Sequence, residues 1–563
     1  MIKRGHFLLA FALLLLAAPL SAHVSSVIIH KREKVLDGKS FGKYGAYEWI
    51  KGEIIFEFDK KNQFNSRIVD LQFAPLNKNG KVEARANFEV LQPSDPLSRR
   101  ALALVEVSNR GGKFSMRYFN RAKTGKLDPG NPESTGDGLL MQLGLTVIWV
   151  GWEFDVPDDP GLLRVVVPAA INPDGSPIIG LVRSDWTVDQ TVRSLKLGHR
   201  RQISYPVYKP KSKKNVLTVR DGRESVRIVV PRRKWSFARE MDGKVKKSDT
   251  YIYMEDGFQE GEIYELVYQA KDPPIVGLGL AVIRDVLSYA KYDKSSVFPV
   301  RQGLAAGVSQ TGRFLRHFIY QGFNTDEEGR KVYDGMLIIT AGAGRGSFNH
   351  RFAQPSRDAH AYSAFFYPTD IFPFTGGNEI DHETGVTDGL YLHLFVSKHL
   401  PKIFYVNTGY EYWGRAASLI HTDTEGENDV NLWPNERVFH LASGQHFVGR
   451  LPAKVERIPG KVPVYRGNPL NYSVNYRALL VKLVKWTAEG KLPQISVKPS
   501  ISKETLVWLD KVNFPDIPGL LVPESNHVAY RVDYGDKWAE GIITKQPPDP
   551  GRPFPSLVCQ LDS

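Results

Sequence analysis

Along the middle of the chain, short apolar runs alternate with segments whose apolar residues recur every three or four positions. Leu102–Val107, Leu145–Val150, 304–308, 336–341, 402–407 and 437–442 are such runs, with little polar alternation inside them. That is the pattern of strands covered on both faces. Between them, Val282, Ile283, Val286, Leu287 and Ala290 repeat at helical spacing, as do Phe314, Leu315, Phe318 and Ile319, and later Tyr476, Leu479, Leu480, Leu483 and Val484. Helices are also expected around 138–143 and 389–399, and a further strand at 264–269. Strands and helices taking turns predict an α/β chain with a mostly parallel sheet and helices on both faces.

The run at 304–308 ends in Gly307-Val308-Ser309-Gln310-Thr311-Gly312, and an amphipathic segment follows at once. Strand, sharp turn and helix with a serine at the apex is the nucleophile turn of an α/β-hydrolase. The common spacing is Gly-x-Ser-x-Gly; here Thr311 stands at the second position after the serine and glycine arrives one later. Two later strands also end at residues of the right kind. Glu411 follows 402–407, and His446 follows 437–442. The order serine, acid, histidine is the one this fold uses. Ser309 is therefore the expected nucleophile, His446 the general base and Glu411 the acid. Asp423 is the alternative acid, with Asp370 and Asp381 further back, and Glu411 could instead pair with Arg415. For the oxyanion hole, one donor is expected from the backbone of Gln310. Another is expected from the loop after Leu102–Val107, Asn109-Arg110-Gly111-Gly112, at Arg110 and Gly111. A plain turn explains that loop too.

These blocks carry a resemblance. The stretch from Gly307 to Arg316, the run Gly342-Ala343-Gly344-Arg345-Gly346-Ser347-Phe348-Asn349-His350-Arg351-Phe352 and the run from Tyr410 to Leu419 resemble a family of bacterial proteins known as α/β-hydrolase domain proteins. The likeness extends over most of the chain from about Ser26 and implies a secreted hydrolase fold with serine chemistry, without a settled substrate. More distantly the chain is similar to the glucuronoyl esterases, which share the Gly-x-Ser-x-x-Gly spacing. Those enzymes carry arginine directly after the serine, where this chain has Gln310.

The expected organisation is a leader at 1–22, a β-rich N-terminal lobe with the first sheet strands at 23–95, and a catalytic domain at 96–152 and 261–495. A β-rich insertion at 153–260 interrupts that domain, and a C-terminal extension occupies 496–563. Lys3 and Arg4, an apolar run from Phe7 to Ala18 too short to span a bilayer, and Ser21-Ala22 read as an export signal. The expected location is therefore periplasmic or extracellular. The net charge of +13 includes local clusters at 209–214 and 231–234. No stacking module or groove motif accompanies them, so no nucleic-acid partner is expected, while association with an anionic cell surface or polysaccharide stays open. The lone cysteine, Cys559, can form no internal disulfide. A second insertion at 342–388 is dense in aromatics, including Phe348, Phe352, Tyr362, Phe365, Phe366, Tyr367, Phe372 and Phe374. These rings either line an apolar pocket or pack a lid onto the core.

Asp381-His382-Glu383 lacks zinc-protease spacing, and Gly342-x-Gly344-x-Gly346 misses the dinucleotide fingerprint. No metal or cofactor is expected. An exported serine hydrolase acting on small-molecule or polymeric carboxylic esters is the leading expectation. A non-catalytic glycan- or surface-binding protein on the same fold, and a peptidase or acyltransferase using the same triad, stand beside it.

Overall fold

The computed structural model describes residues 24–357, 367–449, 451–453 and 466–560. The leader at 1–22 and the aromatics Tyr362, Phe365 and Phe366 lie outside the described residues. A ten-stranded sheet forms the centre. Its strands are β1 (Val24–Lys34), β2 (Tyr47–Phe58), β3 (Val82–Pro93), β4 (Leu102–Val107), β5 (Leu145–Val150), β6 (Val165–Val166), β7 (Gln302–Val308), β8 (Gly335–Ile339), β9 (Lys402–Thr408) and β10 (Glu436–Leu441). They are ordered β1-β2-β3-β5-β4-β7-β8-β9-β10, with β6 paired to β3. From β5 to β10 every neighbouring pair is parallel; β1, β2 and β3 add antiparallel strands on one side. This is the α/β-hydrolase fold, and β7 runs through its middle.

Alternate side chains of the parallel strands enter two separate cores. Ala305, Met336, Ile338, Ile403 and Tyr405 pack with helices α1 (Leu278–Tyr292) and α2 (Gln310–Tyr320). Leu304, Ala306, Leu337, Ile339, Phe404 and Val406 face Leu479, Leu480, Leu483 and Trp486 of a later helix, Ser473–Glu489. Coverage on both faces explains why these strands read as unbroken apolar runs.

The strand expected at 264–269 forms as Ile263–Lys271, but it belongs to the insertion rather than to the central sheet. It pairs with Ile179–Thr187 on one side and Val216–Arg220 on the other. The insertion therefore runs past 260 to the end of this strand. An apolar run reports burial, and Tyr264, Leu266 and Tyr268 are buried, but burial does not name the sheet. A three-stranded sheet and the hairpin Ala238–Met241/Lys244–Lys247 complete the insertion. Of the second insertion's aromatics, Phe348, Phe352, Tyr367 and Phe374 are buried. Phe348 packs edge-on to Phe314 of α2, with ring centroids 5.5 Å apart. These rings fasten the segment to the core. Around 389–399 only one short helix forms, Leu392–Phe395.

Candidate active site

Sequence dictates the turn at Ser309. A Cβ on Gly307 would stand 2.3 Å from the Thr311 carbonyl oxygen, and one on Gly312 would stand 2.9 Å from the Ile339 carbonyl oxygen. Glycine is therefore required where the strand and helix backbones nearly touch and where the helix passes the end of β8. Thr311 fits the position that glycine often takes, because its Oγ1 accepts from the Val308 N–H at 2.9 Å. Ser309 sits at φ 58°, ψ −111°, and its N–H donates to the Ile339 carbonyl at 2.9 Å. A non-glycine residue held at that φ costs about 1–3 kcal/mol and persists only where its surroundings over-determine it. Here the ties to β7 and β8 do so.

His446 lies on the loop after β10. Its Nε2 is 2.8 Å from Ser309 Oγ, and its Nδ1 is 2.6 Å from Glu411 Oε1. A carboxylate can only accept, so it draws the proton to Nδ1, and Nε2 is left bare to accept from the serine hydroxyl. Glu411 is the third residue of the helix Gly409–Gly414, directly after β9, and forms a capping box with Thr408. Its Oε2 accepts from the Thr408 N–H at 2.8 Å and from Thr408 Oγ1 at 2.6 Å. One oxygen thus ends the strand and starts the helix while the other faces His446. Glu411 is fully buried.

Asp423 is not brought to His446. Its carboxylate accepts from the Glu427 N–H at 2.8 Å and from Asn428 Nδ2 at 2.7 Å, which closes its own loop. Asp370 pairs with His527 at 2.8 Å, and Asp381 with Arg531 at 2.8 Å.

Gln310 is the first residue of α2, where backbone N–H groups have no partner within the helix. The segment Asn109–Gly112 closes as a tight turn: the Asn109 N–H donates to the Gly112 carbonyl and the Gly112 N–H to the Asn109 carbonyl, each at 2.9 Å. Arg110 and Gly111 occupy its positive-φ positions. Asn109 Nδ2 donates to the Val308 carbonyl at 3.0 Å and so ties the turn to the end of β7. Arg110, one of the expected oxyanion donors, lies beside the Glu153 carboxyl and favours its charged form. Its guanidinium donates to the Ser356 carbonyl at 2.7 and 3.0 Å.

Glu153 went unnoticed in the sequence, although a carboxylate three residues past a buried strand is a signal. It accepts from Gln310 Nε2 at 2.5 Å and bridges the two segments expected to build the oxyanion hole. Burial, and then the neighbouring Asp155, push its carboxyl well above the usual carboxylate range. Burial also raises Asp155 to about 6, against a hydrogen bond from Ser356 Oγ. At the mouth, the Tyr410 and Phe447 rings flank His446 at 5.2 and 4.5 Å.

Residues 248–515, which carry Ser309, Glu411 and His446, match the family described as Alpha/beta hydrolase domain. No curated protein matches the chain. Among solved structures it is similar to a CE15 glucuronoyl esterase from Teredinibacter turnerae, at 9% identity over 69% of this chain and 63% of that one, with a TM-score of 0.25. It is also similar to a glucuronoyl esterase from Solibacter usitatus, at 11% identity over 76% of this chain and 84% of that one, with a TM-score of 0.27. The chain spans less than two thirds of the length of the Teredinibacter enzyme.

Proposed function

We propose that this α/β-hydrolase-fold protein is an exported serine hydrolase of carboxylic esters. One observation carries the reading: the unbroken chain from Ser309 Oγ through His446 to the buried Glu411, at 2.8 and 2.6 Å. In the reaction, Ser309 Oγ attacks the ester carbonyl while His446 Nε2 takes its proton, and Glu411 stabilises the imidazolium that results. The carbonyl oxygen becomes an oxyanion held by the Gln310 N–H, with the Asn109–Gly112 turn supplying the second donor at Gly111. Collapse breaks the bond to the leaving alkoxide, which His446 protonates. Water then enters, His446 takes its proton, and the acyl group leaves as the acid while Ser309 recovers its hydrogen. The exposed Tyr410 and Phe447 rings offer an apolar contact for one side of the ester. Export rests on the N-terminal sequence.

The test is labelling of the purified chain with a fluorophosphonate, followed by peptide mapping. The adduct is expected on Ser309 and absent from Ser309→Ala, with turnover of short p-nitrophenyl esters lost in parallel. His446→Ala should lose roughly three to four orders of magnitude in kcat without loss of fold. Full activity in Ser309→Ala would overturn the mechanism. Turnover that depends on an added alcohol or amine rather than water would move the reading to an acyltransferase.

A further inference from the structure

The chain's excess positive charge is concentrated in one part of the fold. Between Val192 and Phe258, within the β-rich insertion, fall eighteen of the 74 Lys and Arg residues but only seven of the 61 Asp and Glu, leaving 56 and 54 for the rest of the chain. This segment of the insertion therefore carries a net +11, and the rest of the chain is close to balanced.

Ion pairing sorts these cations into two groups. Arg220 and Arg227 are held by the buried Glu265, and Arg193 by Glu240 and Glu255. By contrast Lys211, Lys213, Lys214, Arg233, Lys246 and Lys247 are exposed. None of these six appears in an ion pair among the described residues. Two of the basic segments are fastened together, since Arg232 donates to the Pro210 carbonyl at 2.9 Å and joins the turn 232–234 to 209–214. Like charges held this close repel one another in the folded state, and nothing inside the fold neutralises them.

A second, independent feature adjoins them. The two-residue strand Ile228–Val229, just before Arg232–Lys234, is the edge strand of its sheet; Ile228 is 65% exposed and Val229 62%, and Val226 in the loop ahead of it is 84% exposed. Arg227 and Pro231 flank this short edge and guard it against pairing with another strand, yet its aliphatic side chains still stand in water. On the hairpin Ala238–Met241/Lys244–Lys247, Val245 is exposed between Lys244 and Lys246. Exposed aliphatics set among lysines are the signature of a surface that lies on a membrane: the cations meet anionic headgroups and the aliphatics enter the acyl boundary. A soluble polyanion would satisfy the charge and leave the aliphatics in water. The insertion's large aromatics Trp235, Phe237 and Phe258 are buried and so are not available for stacking on nucleic-acid bases.

We infer that this insertion is a peripheral docking surface for an anionic lipid bilayer. It is independent of the catalytic reading, because none of its residues touches Ser309, His446 or Glu411. The test is co-sedimentation of the full chain with vesicles of phosphatidylcholine alone or mixed with phosphatidylglycerol, at low and high salt. Binding is expected only to the phosphatidylglycerol vesicles, weakening as salt rises. The triple variant Lys211→Glu/Lys213→Glu/Lys214→Glu should partition at least about tenfold more weakly. Val226→Ser/Ile228→Ser, which leaves the charge unchanged, should also bind several-fold more weakly and lose its salt-resistant fraction. Both variants should keep the parent's urea midpoint and far-UV circular dichroism, which shows that they are folded. Absence of binding, equal binding to both vesicle types, or full binding by either variant would overturn the assignment. Retention on heparin with no vesicle binding would replace the membrane by a soluble polyanion.

Discussion

Replacing Glu411 by Gln tests two functions of one side chain. Glu411 Oε1 faces His446 Nδ1 at 2.6 Å, while Oε2 accepts two hydrogen bonds from Thr408. An amide has one acceptor oxygen and one donor NH2, so in this fully buried site either orientation leaves a conflict. If the oxygen keeps His446, the NH2 points at the Thr408 N–H, which costs about 1–3 kcal/mol for the unsatisfied donor. If the oxygen keeps Thr408, the NH2 faces Nδ1, the imidazole proton moves to Nε2, and the ring cannot accept from Ser309. The predicted result is a loss of kcat of at least about a hundredfold, up to the roughly 10⁴ of a comparable acid-to-amide change, with KM little altered. Thr408→Val removes a capping hydroxyl and leaves the acid, so it should lose about 1 kcal/mol of stability with kcat kept within about tenfold. Steady-state kinetics on one p-nitrophenyl ester and urea midpoints on both variants separate the two effects. Asp423→Asn, measured alongside, should change kcat by less than about tenfold, because that carboxylate only closes its own loop. A Glu411→Gln enzyme with kcat near the parent's, beside a crippled Asp423→Asn, would refute the reasoning.

Three further outcomes are expected. Gly307→Ala places a Cβ 2.3 Å from the Thr311 carbonyl oxygen and should abolish fluorophosphonate labelling of Ser309; undiminished labelling would show that the turn can relax. Glu153→Gln keeps an acceptor oxygen for Gln310 and should retain kcat within about tenfold, whereas Glu153→Ala leaves buried donors unsatisfied at about 1–3 kcal/mol each and should lose more; equal losses in the two variants would mean that the ionised carboxylate is needed. His421 is held near a pKa of about 3, first by burial and then by Lys498, so below about pH 6.5 the unfolded chain takes up a proton that the native state refuses. Its contribution to stability is whole above about pH 6.5 and should fall by about 1 kcal/mol per unit as the pH drops toward 3; urea midpoints of the parent and His421→Gln between pH 6.5 and 5 should diverge, and parallel curves would contradict this.

The sheet's centre, the strand-turn-helix at Ser309 and the placing of Ser309, a carboxylate and His446 each after a strand were all legible in the chain. Each is encoded locally, by runs of strand length, by small residues where backbones approach, and by a polar residue just past a strand. The choice between Glu411 and Asp423 was not local, since both follow β9. It turned on position within the next element: Glu411 is the third residue of a helix begun at the strand's end, so its side chain reaches back to Thr408 and His446, whereas Asp423 points into its own loop. Likewise the apolar pattern of Ile263–Lys271 announced a buried strand, and only its pairing with Ile179–Thr187 and Val216–Arg220 put it in the insertion. Glu153 carried no periodic mark; its place between Gln310 and Arg110 depends on partners 157 and 43 positions away. Periodicity records how much water a residue sees. Which neighbour replaces that water is settled when distant strands are laid side by side, and a chemical site is made of such neighbours.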